Sequence, residues 1–200
     1  IINKYGIDQL RYYLSKEVSL GNDGNISLEN LQSCINNDLA NNYGNLCQRV
    51  FTFIKKNCSN KIPKPKKFTE GDENLKSNLK NKINELVQLM DNQDLNAYIK
   101  QVVEFSFEAN KYFNDSEPWA LKKSDPQRMN TILFTIVEQI KNISILLTPI
   151  IPIATKKTLD IMNISNNEIN LNSITKNDIL KHDIELKETS ILFNKIENDN

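Results

Sequence analysis

The chain has 200 residues, 25 Lys+Arg against 25 Asp+Glu, a formal net charge of +0 and a hydrophobic fraction of 39%, enough apolar residue for one ordinary core. With Gly 5, Pro 6 and an excess of Lys, Leu, Ile and Glu, the composition excludes a collagenous chain and argues against an all-β sandwich. The longest apolar run, Ile143 to Ala154, holds two prolines and is too short to span a bilayer, and the widely spaced Cys34, Cys47 and Cys58 make no disulfide framework, so a soluble cytoplasmic protein with no membrane partner is expected.

Helical periodicity dominates the chain. Ile7 to Val18 places Ile7, Leu10, Leu14 and Val18 on one side of a short amphipathic helix. Gly21, Asp23 and Gly24 mark a turn. Ser27 is placed to cap a long helix from Leu28 to about Lys56, with Glu29 at its positive dipole end. Leu39, Tyr43, Leu46, Cys47, Val50, Phe53 and Ile54 form the buried stripe of that helix. Pro63, Pro65 and six lysines counted from Lys55 make Asn57 to Phe68 a basic loop.

A second helix is predicted from Asp72 to Met90, with Leu75, Leu79, Ile83, Leu86 and Met90 in register. Asp94 caps a third that carries Leu95, Tyr98, Ile99, Val102, Val103, Phe105, Ala109 and Tyr112, and Asn114 to Pro118 ends it. Pro126 opens a helix to Leu147 at the first position, where a missing N–H costs nothing. Pro149 and Pro152 break the chain before Ile153 to Met162, and from Asn163 it is polar and Asn-rich to an acidic tail. The fold class is all-α, an antiparallel helix bundle.

The chain lacks the equipment for most catalysis. Its one histidine, His182, has no partner nearby in sequence and reads as a surface residue, not a general base. Without C-x-x-C spacing or a neighbouring His, the cysteines make no metal site, and Cys47 is a small core residue. Neither G-x-x-x-x-G-K-[ST] nor G-x-G-x-x-G is present, so no familiar phosphate loop exists. No catalytic residue is assigned.

Two features remain. On a wheel of about 100° per residue, Asn41, Asn45 and Arg49 fall roughly 110–170° from the apolar stripe and form an outward polar ladder. Asn and Arg offer directional groups suited to base edges, although on periodicity alone a solvated face in an Asn-rich protein is the simpler explanation. Trp119, the sole Trp, follows Pro118 and precedes Lys122 and Lys123. It is either a plug at the bundle end or a stacking platform for an unpaired base, with lysines for phosphates. Zero net charge disfavours indiscriminate nucleic-acid binding and leaves room for a local contact.

The segment Asp38-Leu39-Ala40-Asn41-Asn42-Tyr43-Gly44-Asn45-Leu46-Cys47-Gln48-Arg49 resembles the D-L-A-N-x-x-G-N-L-x-x-R helix of methionyl-tRNA synthetases. Tyr5-Gly6-Ile7-Asp8-Gln9-Leu10-Arg11-Tyr12-Tyr13-Leu14 is similar to their Y-G-x-D-x-L-R-Y-x-L segment, and Pro118-Trp119 to their P-W landmark. Leu192-Phe193-Asn194-Lys195-Ile196-Glu197 follows L-F-P-R-I-E with Asn and Lys in place of Pro and Arg.

The resemblance implies an α-helical anticodon-binding domain over residues 26–200, preceded by the tail of a stem-contact region over 1–25 that links to a missing catalytic domain. It implies that Asn45 and Arg49 hydrogen-bond bases of the C-A-U anticodon of tRNA-Met and that Trp119 stacks on the first of them, with Asn41 on the same surface. It implies that the full-length protein is a methionine–tRNA ligase partnered by tRNA-Met and by its own catalytic domain. That domain uses ATP and Mg, while this fragment carries neither H-I-G-H-like nor K-M-S-K-S-like signature, holds no cofactor or metal, and is inactive alone. The alternatives are the anticodon domain of another class I synthetase, and a helical protein-interaction module without RNA binding.

Overall fold

Apolar stripes at helical spacing, some of them opened by a capping residue, assemble in the computed structural model into a helix bundle. The structure describes residues 2–18 and 26–197, so the turn read at Gly21, Asp23 and Gly24 lies outside the described residues. The helices are α1 (Ile2–Tyr5), α2 (Ile7–Glu17), α3 (Leu28–Cys34), α4 (Asn45–Asn57), α5 (Glu70–Asn81), α6 (Ile83–Asp91), α7 (Leu95–Ser116), α8 (Pro118–Ser124), α9 (Pro126–Leu147), α10 (Pro152–Ile161) and α11 (Asn172–Thr175). The side chains of Ser27, Asp94 and Asp125 accept from backbone N–H groups in the first turns of α3, α7 and α9. Prolines open α8, α9 and α10, where no N–H is needed.

The bundle is organised around α9, buried on every side from Thr131 to Leu147 and packed against α4, α7, α8 and α10. Several polar side chains survive there by donating to carbonyls, whereas the amide of the buried Asn142 has no partner among the described residues. Thr135 and Ser144 donate back to the carbonyls of Thr131 and Ile140, and Gln139 reaches the carbonyl of Leu75. The fully buried Lys141 donates to the Ser173 carbonyl at 3.0 Å, tying α11 to the core. Burial pushes its amine down to about 8, against the opposing pull of Glu138.

The structure departs from the predicted elements in five places. On α2 the buried face is Asp8, Tyr12 and Tyr13, while Ile7 of the predicted stripe is exposed and Leu10, Leu14 and Val18 are half-buried. The long helix runs from Leu28 to Asn57, but its middle, Ile35–Gly44, is π-helical. An i→i+5 stretch has the same composition as an α-helix, so periodicity at 100° per residue does not reveal it. The second helix begins after Thr69 and breaks at Lys82, whose N–H bonds to the Leu79 carbonyl; Leu79 and Ile83 stay buried on either side, so the stripe survives the break. Trp119 lies not between helices but inside α8. Beyond Asn163 the chain folds as a short 3-10 turn, α11 and an extended strap. The strap closes on the basic loop: Ile62 N–H donates to the Ile184 carbonyl at 2.9 Å and Asp183 N–H to the Ile62 carbonyl at 2.7 Å.

One buried ion pair joins three helices. Asp72, at the third position of α5, receives two guanidinium bonds from Arg128 of α9 at 2.5 and 2.8 Å, the Tyr112 hydroxyl of α7 and the Thr69 N–H at 2.7 Å. Burial alone would raise its carboxyl; the Arg128, Tyr112 and Thr69 bonds outweigh burial and hold it at about 2. Its folded value lies below the unfolded one, so its contribution is complete above about pH 4 and is lost as pH falls towards 2. Arg128→Ala, which strands the fully buried Asp72, should cost about 3 kcal/mol in urea unfolding at pH 7. The gap between wild type and variant should narrow between pH 5 and 2; a gap independent of pH would contradict this role.

Candidate nucleic-acid interface

The helix from Leu28 to Asn57 is held from inside at successive positions. Buried Asp38 accepts the Tyr12 hydroxyl and the Lys16 ammonium, both from α2 and both at 2.8 Å. Buried Asn42 accepts from Asn110 of α7 at 3.0 Å, and the Tyr43 hydroxyl bonds Ser144 of α9 at 2.7 Å and Thr158 of α10 at 3.1 Å. At Gly44 an added Cβ would lie 2.8 Å from the Leu39 carbonyl oxygen, one π-turn back, and 3.3 Å from the Phe193 ring of the strap. Asn36 exchanges two hydrogen bonds with the Ile196 backbone, which fixes the strap along the same helix.

The Y-G-x-D-x-L-R segment supports the far end. Gly6 joins α1 to α2 at φ 100°, a conformation that favours glycine. Asp8 accepts the Ala154 N–H in the first turn of α10, while Arg11 donates to the carbonyls of Pro149 and Ile150 in the turn before it. These residues set the α9–α10 corner and the seat of the long helix.

What the inward contacts leave outside is the polar ladder. Asn45 and Arg49, one α-turn apart on α4, are half-buried, and Asn41 is exposed. Asn41 lies in the π-helical stretch, so the wheel that aligned all three residues holds only for Asn45 and Arg49. The Arg49 guanidinium sits 4.9 Å from the centroid of the Phe113 ring and donates to Asn114 Oδ1 at 2.7 Å. On Phe113 also rests Trp119, edge to face, with centroids 5.6 Å apart and planes at 88°. Trp119 keeps 44% of its surface exposed, which removes the core-plug alternative. Between α7 and α8, Glu117 adopts a left-handed conformation at φ 42°, and buried Pro118 follows as the first residue of α8.

Exposed cations lie on the segments that follow Arg49 and Trp119 in the chain. All six lysines from Lys55 to Lys67 are exposed, as are Lys122 and Lys123. Burial raises the Cys58 thiol at the end of α4, and Lys122 of α8 lies near enough to oppose that rise. Acidic Asp115 and Glu117 are exposed in the same corner. His182 is exposed in the strap beside Asp183, at 2.6 Å, away from the ladder residues in every contact it makes.

The structure thus brings Arg49 and Trp119 together through Phe113 and sets Asn45 one turn from Arg49. Phe113 and Asn114 were missed by sequence reasoning. Phe113 falls four residues after Ala109 on the buried face of its helix, a signal available in the sequence, but its pairing with residue 49 joins two helices distant in sequence and no periodicity carries it.

Residues 62–200 match the family model for the anticodon binding domain of methionyl tRNA ligase, and residues 1–51 match that for class I tRNA synthetases (M). The methionine–tRNA ligase of Brucella suis biovar 1 (strain 1330) is 40% identical over 162 residues, which are 81% of this chain and 32% of that protein. The methionine–tRNA ligase of Rickettsia felis is 32% identical over 212 aligned residues, covering 100% of this chain and 40% of the relative. The solved apo form of Mycobacterium tuberculosis methionyl-tRNA synthetase superposes with a TM-score of 0.92 at 28% identity, over 99% of this chain and 40% of that one. The same enzyme in complex with methionyl-adenylate gives 0.90 at 30% identity, over 96% and 38%. The chain spans about a third to two-fifths of the length of the relatives it matches.

Gly44→Ala should separate packing from helix propensity. Gly44 has ordinary helical angles, φ −64° and ψ −42°, so alanine would gain about 1 kcal/mol if space allowed. The Leu39 carbonyl leaves no such space, and the variant should be less stable in chemical denaturation. Stabilisation would show that the strap and the π-turn yield freely.

Proposed function

The chain belongs to the methionyl-tRNA ligase family, and we propose that its outer face on α4 and α8 recognises the C-A-U anticodon of tRNA-Met through Asn45, Arg49 and Trp119. The observation that carries this reading is the exposed Trp119 packed on the same ring as Arg49, one turn from Asn45. An unpaired base offers a π-face and a pairing edge, and this face supplies an aromatic surface beside directional hydrogen-bond groups.

Arg49 has five N–H donors, of which the Asn114 bond engages one nitrogen and leaves others for a base. Such donors suit the O2 and N3 acceptors of cytosine, whereas uracil presents an N3–H to the same group. A polar group left unmatched by the wrong base costs about 1–3 kcal/mol, so discrimination rests on Asn45 and Arg49. Stacking on Trp119 is indifferent to base identity and adds about 1–3 kcal/mol of affinity. The exposed lysines of the 55–67 loop and of α8 are the candidates for phosphate contacts. Asn41 belongs to the edge of this surface.

In this reading the full-length protein attaches methionine to tRNA in the cytoplasm with ATP and Mg, through a catalytic domain outside the present chain. No helix among the described residues is long and apolar enough to cross a membrane.

The test is the dissociation constant for an anticodon stem-loop carrying C-A-U, against loops with substituted anticodons. Trp119→Ala should weaken binding to all loops by about 10- to 100-fold. Arg49→Ala and Asn45→Ala should weaken C-A-U binding comparably and narrow its advantage over the substituted loops. Normal C-A-U binding by any one variant removes that residue from the site; normal binding by all three overturns the reading.

A further inference from the structure

Phe113 makes contacts that an ordinary core residue has no need to make. It is 2% exposed in the last turns of α7, and three groups from two other helices converge on its ring. Arg49 of α4 places its guanidinium 4.9 Å from the ring centroid, and Trp119 of α8 meets it at 5.6 Å and 88°. Phe53 of α4 closes the third side at 6.5 Å and 84°. Among the described residues no hydrogen bond or cation–π pair joins Arg49 to Trp119, and both pack on the Phe113 ring, which is their shared reference.

We infer that Phe113 is a positioning residue that couples Arg49 to Trp119, so that the hydrogen-bonding group and the stacking ring meet RNA as one preset unit. This rests on the reading of those two residues as RNA contacts and extends it to how they are aimed. A guanidinium is attracted to the face of an aromatic ring, and edge-to-face packing fixes the tilt of a neighbouring ring. Long Arg side chains lose much rotamer freedom when a ligand fixes them, and a ring that fixes one beforehand removes that loss from binding. Asn114, next in the chain, restrains the other edge of the same guanidinium at 2.7 Å. Trp119 is joined to the same helix end through the left-handed Glu117 and buried Pro118, so one turn of α7 sets both groups. A flexible aliphatic side chain of similar volume would fill the space without holding either orientation.

The experiment has an RNA-free arm and an RNA arm. In the free chain, Trp119 anisotropy and near-UV circular dichroism report the order of that ring, since it is the single Trp. Arg49→Ala, which removes a group packed on Phe113, should lower both signals, and Phe113→Leu should lower them further. In a Phe113→Leu background, Arg49→Ala should have no added effect, while Phe113→Tyr should restore the wild-type signal. Far-UV spectra and the melting temperature identify a variant that has merely unfolded; should Phe113→Leu unfold, Arg49→Ala in the wild-type background still decides.

With the C-A-U stem-loop, the double variant Arg49→Ala/Trp119→Ala should lose at least 5-fold less affinity than the product of the single losses. Unchanged Trp119 signals in Arg49→Ala, or single losses that multiply, would overturn the coupling. Coupled spectra with no loss of RNA binding in either single variant would keep the role of Phe113 and overturn the RNA reading instead.

Discussion

The outer face depends on how tightly one helix is gripped from within. Between Asp38 and Gly44 four inward positions meet different neighbours: α2 at Asp38, α7 at Asn42, α9 and α10 at Tyr43, the strap at Gly44. Buried polar groups tolerate few alternatives, because an unpaired donor or acceptor in the core is costly. These bonds therefore fix rotation as well as position. The π-helical stretch is where the winding adjusts to meet them, and it ends at Gly44, immediately before the regular α4 that carries Asn45 and Arg49. A rigid α-helix then presents those two side chains at a constant spacing.

This grip divides the recognisable motifs into two kinds of residue. Asp8, Tyr12 and Asp38 are buried and the exposed Arg11 clasps the turn before α10; all four hold elements together, and none belongs to the polar ladder. Asn45, Arg49 and Trp119 remain at the surface after the core has been satisfied. Motif membership alone does not distinguish an architectural residue from a binding one. Partners within the fold do, and they reassign much of the motif content to architecture. The Asp72–Arg128 pair belongs to the same class: it joins α5, α7 and α9, and its hydrogen bonds reach no ladder residue.

Much of the fold was legible in the sequence because helices in a bundle announce themselves by spacing and by caps. Ser27, Asp94 and Pro126 each stand where the predicted helix begins, and Leu39, Tyr43, Leu46, Val50 and Ile54 are all buried as their spacing requires. What was not legible is long-range or geometric. The π-turns leave no compositional trace, the break at Lys82 preserves the apolar register, and the pairing of Ile62 with Ile184 joins two segments without periodicity. At the site, Asn45, Arg49 and Trp119 could be named from motifs, but the ring that relates Arg49 to Trp119 could not. Contacts between residues 49, 113 and 119 exist only once three helices have packed.

The central claim is that Trp119 stands open beside Arg49 to receive the first base of a C-A-U loop. The most direct measurement is Trp119 fluorescence during titration with a C-A-U anticodon stem-loop and with one whose anticodon is scrambled, the single Trp making the signal unambiguous. The account predicts saturable quenching by the C-A-U loop at concentrations where the scrambled loop has little effect. Identical responses to both loops, or none from either at millimolar RNA, would contradict it.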